Sequence, residues 1–139
     1  MPDPALLPLL HLADTAFPTG GYAHSLGLET YCQDGRVDDA EGLAAFLTMH
    51  LEGAAGPADA TAAVAALRAF AARDLGACRA LDARLEAMKP ARELREASRQ
   101  MGRQTLRVAG TLTGDAGLAA YAAAVAAGEA PGHHGVAFG

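Results

Sequence analysis

"ARELREASRQMGRQTLRVAGTLTG", residues 91–114, decides the fold. With Arg92 placed at zero and roughly 100° added per residue, Arg95, Arg99, Arg103 and Arg107 fall within roughly 60° of it, because steps of three and four residues follow one helical face. Leu94, Ala97, Met101, Thr105, Val108 and Leu112 gather on the opposite side. The period is helical. It predicts a helix over 91–112, the longest in the chain, with Gly114 as its stop. One face reads as core and the other as a row of guanidinium groups, with Glu96 placed to pair with Arg92 or Arg99.

Working outward, residues 75–88 repeat the helical spacing through Leu81, Leu85 and Met88, and Pro90 marks the boundary before the long helix. Asp115 caps a last alanine-rich helix to about Ala127, and "GEAPGHHGVAFG" (128–139) reads as a closing loop. Upstream, "GP" at 56–57 reads as a break, with Pro57 in the first turn of a helix over 58–73. In "VDDAEGLAAFLTMHLEGAAG" (37–56), Asp38 is the expected cap and Glu41, three residues on, completes a capping box. Leu43, Phe46, Leu47 and Leu51 share a face there. Residues 25–33 read as helix stopped by Gly35, and 4–13 as a short apolar helix limited by Pro4 and Pro8. There is no strand alternation, internal repeat or long linker. The expectation is one all-α domain over 1–139, a bundle of about six to seven helices.

The 139 residues are 51% hydrophobic, but alanine supplies much of that, aromatics are only 5%, and tryptophan is absent. Each small side chain buries little area, so modest stability is expected unless partners or a second subunit cover more surface. The net charge of −5 argues against nonspecific binding to nucleic acid or an anionic membrane. Its distribution says more. Residues 1–67 carry one arginine against nine acids, whereas residues 68–107 carry ten Lys/Arg against five. Arginine forks pair with carboxylates in two parallel hydrogen bonds, so the stripe on the long helix suits an acidic partner, or the acidic front of the same chain. A solvated face is the plain alternative. Cys32 and Cys78 lack metal-site spacing and are expected as buried reduced thiols. "MPDPALLPLLHLA" has no basic segment of the secretory kind, and no apolar run is long enough to span a bilayer.

"AFPTGGYAHSLGLE" (16–29) concentrates special geometry: Phe17 and Pro18 to anchor a loop, Gly20 and Gly21 for positive φ or close approach, and Ser25 at a helix start. It lacks the Lys-Ser/Thr and preceding strand of a phosphate loop. His24, Ser25 and Glu29 have the wrong spacing for a nucleophile set, since adjacent helical side chains diverge. By chemistry the loop is structural or a contact surface. His133 and His134 are adjacent, a poor arrangement for chelating one ion, and remain only weak metal candidates. His11 and His50 read as packed histidines.

Three stretches together resemble the urease accessory protein UreF family. "LADTAFPTGGYAHSLGLE" (12–29) is similar to its opening signature, "ARELREASRQMGRQTL" (91–106) to its Arg- and Ser-containing helix with an embedded glycine, here Gly102, and "GHHGVAFG" (132–139) to its His-containing segment ending in Phe-Gly. The resemblance implies an all-α, cytoplasmic accessory protein and not an enzyme. It implies a dimer that binds UreD (also called UreH), recruits the GTPase UreG and serves assembly of the dinickel centre of apo-urease. An arginine lent in trans to activate that GTPase is the alternative role. No cofactor is expected to bind tightly; nickel is handled by the wider assembly, and neither nucleic acid nor membrane is expected as a partner. Contact residues are expected among Phe17, Pro18, Thr19, Gly20, Gly21, Tyr22, His24, Ser25 and Glu29 of the loop, and Arg92, Arg95, Ser98, Arg99 and Arg103 of the helix. Family members run longer, so this chain is expected to lack the family's C-terminal helices.

Overall fold

The computed structural model describes residues 6–14, 16–21 and 25–139. Every regular element among them is helical: α1 (Leu6–Ala13), α2 (Leu28–Gln33), α3 (Ala40–His50), a wide-turn segment (Leu51–Ala60), α4 (Thr61–Ala71), α5 (Leu75–Met88), α6 (Arg92–Thr113), α7 (Ala116–Ala126) and α8 (His134–Phe138). Among the described residues no helix is long and apolar enough to cross a membrane.

Capping chemistry sets the boundaries. Asp74 accepts from the Ala77 amide at 2.9 Å to open α5, and Asp115 accepts from Gly117 and Leu118 at 2.8 and 2.9 Å to open α7, as its sequence predicts. Gly114 closes α6 in the left-handed conformation, φ 63°. Four expectations need correction. The cap of α3 is Asp39, whose carboxylate reaches the Gly42 amide at 2.7 Å, not Asp38. The helix expected over 25–33 begins only at Leu28, because Leu26 and Gly27 both take positive φ. The expected break at Gly56–Pro57 is instead a continuous helix that widens its turn: proline offers no amide to the i−4 carbonyl, and a Cβ on Gly56 would stand 2.7 Å from the Leu51 carbonyl. Finally, 128–139 is not all loop, since it ends in α8.

The core joins α4, α5, α6, α7 and α8 around Ala62, Ala66, Cys78, Leu85, Leu106, Tyr121, Val125 and Val136. On α6 the buried residues are Ser98, Gly102, Thr105 and Leu106. That stripe lies roughly a quarter turn from the apolar face read off the sequence, and Leu94 and Leu112 are exposed. Small residues explain the rotation. Ser98 and Gly102 let backbone approach closely, which Leu94 and Met101 do not. The same preference appears on α4, where Ala62 and Ala66 are buried while Val64 and Leu67 face out. On α3 only Phe46 of the expected apolar face is buried. Cys32 is exposed and Cys78 buried, so the expectation of two buried thiols holds for one. His11 lies exposed on α1, its ring edge-on to Phe17 at 5.6 Å, and is not packed inside a helix bundle.

Candidate functional site

Helix α5 places Asp82 and Glu86 one turn apart, and the facing part of α6 presents Arg95, Ser98, Arg99 and Gly102 at intervals of three and four. The turn before α8 enters between them. Gly102 has no Cβ because none fits: one built there would collide with the Gly132 carbonyl and stand 2.6 and 2.8 Å from the backbone of His133 and His134. Fully buried Asp82 receives this turn, accepting hydrogen bonds from the Gly132 amide (2.6 Å), the His133 amide (2.9 Å) and the Tyr121 hydroxyl (2.8 Å). Burial first, and then the charge of Asp82, push the Tyr121 hydroxyl far above its ordinary range, so it remains a donor.

His133 is fully buried at the centre of the cluster. Its Nε2 lies 2.7 Å from Glu86 Oε2 and its Nδ1 lies 3.0 Å from Ser98 Oγ. A carboxylate only accepts, so Nε2 carries hydrogen and donates to Glu86; in the neutral ring Nδ1 accepts from the Ser98 hydroxyl. The other Glu86 oxygen faces Arg95 Nε at 3.5 Å and Arg99 Nη2 at 3.2 Å. Arg95 also donates to the carbonyls of Lys89 and Pro90 at 2.7 and 2.8 Å, tying off the end of α5. The next residue, His134, shares a contact at 3.2 Å between its Nδ1 and Thr105 Oγ, whose hydrogen goes to the Met101 carbonyl at 2.9 Å. Burial above all, against a smaller opposing pull from Asp59, holds the His134 imidazole below its ordinary value of 6.5.

The 16–21 loop seats on the same helix from another side. Asp14 Oδ1 takes the Ala16 amide at 2.7 Å, and Phe17 and Thr19 are buried. The Gln104 side chain donates to the Pro18 carbonyl at 3.0 Å, and a Cβ on Gly21 would touch Met101 at 2.9 Å. Pro18 and Gly20 remain exposed. A groove of about 580 Å³ runs between the wide-turn segment and α6, bordered by Leu26, Met88, Leu94 and Met101 and floored by His134 and Gly135.

The sequence-predicted residues therefore divide. Phe17, Pro18, Thr19 and Gly21 come together on α6 with the cluster formed by Arg95, Ser98, Arg99, His133 and His134. Ser25 and Glu29 are exposed, and Tyr22 and His24 lie outside the described residues. Arg92 is exposed and pairs with Glu96 at 2.7 Å; Arg103 is exposed with no ion pair among the described residues. Both ring nitrogens of His133, a weak metal candidate, are taken by internal partners, and among the described residues no group of three or more His, Cys, Asp or Glu is placed to hold a metal. Among the described residues, the arginine stripe is partly neutralised from within the chain by Glu86 of α5 and not by the acidic front. Sequence reading missed Asp82, Glu86 and Tyr121. The available signal was two acids one turn apart on a helix, each next to one of the apolar residues Leu81 and Leu85, so that Asp82 shares the buried side with Cys78 and Leu85.

The family model described as UreF matches residues 37–139. The chain is 35% identical over 136 residues to the urease accessory protein UreF of Lachnoclostridium phytofermentans, covering 98% of this chain and 60% of that protein. It is 40% identical over 134 residues to the Paenarthrobacter aurescens protein of the same name, covering 96% and 57%, and 43% identical over 95 residues to that of Corynebacterium glutamicum, covering 68% and 40%. The chain thus spans less than two thirds of the length of these relatives. No solved structure matches it.

Proposed function

The chain belongs to the UreF family of urease accessory proteins, and from that premise we propose that it is a scaffold for nickel insertion that binds UreD (UreH) and recruits the GTPase UreG to apo-urease. In this reading it works in the cytoplasm, associates as a homodimer in its full-length form, and performs no reaction of its own; nickel is the cargo of the assembly. The observation that carries the reading is the convergence on α6. The Phe17–Gly21 loop and the His133–His134 turn, far apart in sequence, are both fastened to the arginine helix through Gln104, Met101, Gly102 and Ser98. Every polar contact drawn there holds elements in place, while Pro18, Gly20 and Arg103 stay outward. A rigidly held surface of this kind supports the docking reading.

The test is co-expression of this chain with its cognate UreD and UreG, followed by sizing, with Arg103→Glu/Arg107→Glu as the variant. These two arginines are exposed and, among the described residues, bridge no other helix, unlike Arg95 and Arg99. Association is expected for the natural chain and loss of it for the variant, with helical circular dichroism unchanged. Co-elution that survives the double change overturns α6 as the docking face. The exposure of Arg103 also supports the second reading, an arginine lent in trans to UreG, where such a group is worth about a thousandfold or more in rate. Arg103→Ala then lowers UreG turnover while leaving binding intact.

A further inference from the structure

One carboxylate, Glu86, stands between two guanidinium groups. Its Oε2 is committed to His133 at 2.7 Å, so Oε1 alone faces Arg95 at 3.5 Å and Arg99 at 3.2 Å. Both distances exceed the roughly 2.7–2.9 Å of a charge-assisted hydrogen bond. Arg95 is anchored elsewhere, on the Lys89 and Pro90 carbonyls. Among the described residues Arg99 has no such anchor, and its Nε is buried without an acceptor. A buried donor with no partner carries its full desolvation cost. Glu96, the nearest other acid on this helix face, is taken by Arg92 at 2.7 Å. Yet the two side chains are not sealed: Arg95 is 27% and Arg99 33% exposed.

We propose that Arg95 and Arg99 form a socket, half-filled by Glu86, that accepts an aspartate or glutamate side chain from an acidic protein segment. Two cations facing one carboxylate are balanced by one further monovalent carboxylate. A phosphate dianion would overshoot and sit against Glu86. The exposed Arg92, Arg103 and Arg107 extend the same positive row, which favours a segment with several acids over an isolated one. Because Glu86 also holds His133, an incoming carboxylate that draws the guanidinium groups toward itself leaves the Glu86–His133 bond in place. The inference rests on the reading of α6 as a docking face and adds the chemistry of what docks there.

The intact chain is titrated at constant ionic strength with a blocked hexapeptide carrying two glutamates, with its glutamine counterpart, and with inorganic phosphate. The Nε–Hε nuclear magnetic resonance signals of Arg95, Arg99 and Arg103 are followed. The glutamate peptide is expected to move the Arg95 and Arg99 signals saturably, with Kd on the order of millimolar, phosphate to act more weakly, and the glutamine peptide not at all. Glu86→Gln removes the internal competitor and is expected to tighten peptide binding roughly two- to fivefold, the range of an exposed ion pair. Arg99→Gln is expected to abolish saturation. The proposal is overturned by unsaturable shifts, by phosphate binding as tightly as the peptide, or by a folded Glu86→Gln chain with unchanged or weaker affinity. If Glu86→Gln does not fold, the two peptides and Arg99→Gln decide. Loss of peptide binding with UreD and UreG still co-eluting removes the socket alone, whereas saturable peptide binding without co-elution removes the scaffold reading alone.

Discussion

Gly102 of α6 lies under the Gly132 carbonyl with no space for a β-carbon between them. This contact joins the long helix to the turn that carries His133, and it fixes how far α8 sits from α6. Where two backbones touch, a single methyl group must displace one of them.

Gly102→Ala is therefore expected to destabilise the chain by about 1–3 kcal/mol, the cost of overpacking, even though alanine is the better helix former by about 1 kcal/mol. The control is eight residues along the same helix. Gly110 has nothing within 4 Å of a built Cβ, so Gly110→Ala is expected to stabilise by roughly 0.5–1 kcal/mol. Urea unfolding midpoints of the two variants should move in opposite directions. Midpoints that move the same way would show that the 132–134 turn yields to α6.

The role of Asp82 gives a second prediction. Its two oxygens accept three hydrogen bonds in a fully buried position. Asparagine supplies one accepting oxygen and turns a donor toward at least one of those donors, so Asp82→Asn should cost about 1–3 kcal/mol. Tyr121→Phe deletes only one partner and should cost about 1 kcal/mol. Because the two groups share a bond, the double variant should be less damaged than the sum of the singles, and a double-mutant cycle by urea unfolding measures the difference. Strict additivity would mean that the Tyr121 hydroxyl does not depend on Asp82.

How much of this was legible in the sequence follows from which interactions are local. Helix periods, the Asp115 cap and the Gly114 stop depend on neighbours within one turn, and all three hold. The long-range rule that large apolar residues define the buried face failed on α4 and α6. There the closest approaches are made by Ala66, Ser98 and Gly102, and Leu67, Leu94 and Leu112 are left outside. In an alanine-rich chain with few aromatics, backbone proximity competes with side-chain area, and hydrophobic spacing alone does not reveal it. The cluster was half visible. Arg95, Ser98, Arg99 and His133 stood out in their own segments. Asp82 and Glu86 did not, because an acid one turn from another on a helix usually faces solvent, and only the turn arriving from residues 130–133 brings them inside.

The cysteines separate in a thiol assay. Cys32 is exposed, whereas Cys78 is buried in the core, and burial, with a smaller push from Asp74, raises its thiol above the ordinary value. The thiolate is the reactive form. One thiol per folded chain is expected to react promptly with a disulfide reagent at neutral pH, and the second only with unfolding. Cys32→Ser should abolish the prompt phase, and Cys78→Ser should leave it unchanged. Two prompt thiols in the natural chain would place Cys78 within reach of solvent.

His134 sets the pH dependence expected of stability. Burial lowers its imidazole below 6.5 in the folded chain, against the opposing pull of Asp59 and with a further small push from Lys89. The unfolded chain therefore holds more protons between the two values, and by linkage stability rises with pH in that interval. Read downward, stability is intact above about 6.5, is lost as pH falls through that value, and stops falling on this account once the folded ring is itself protonated. Carboxylates titrate lower and do not account for a loss that begins near neutrality. His134→Gln keeps a polar side chain beside Thr105 and removes the titration. Between pH of about 7.5 and about 5.5, the urea midpoint of the natural chain should decline more steeply than that of the variant, whose stability at about pH 7.5 serves as its own baseline. Parallel declines would show that the proton is taken up at another group and that His134 does not set this pH dependence.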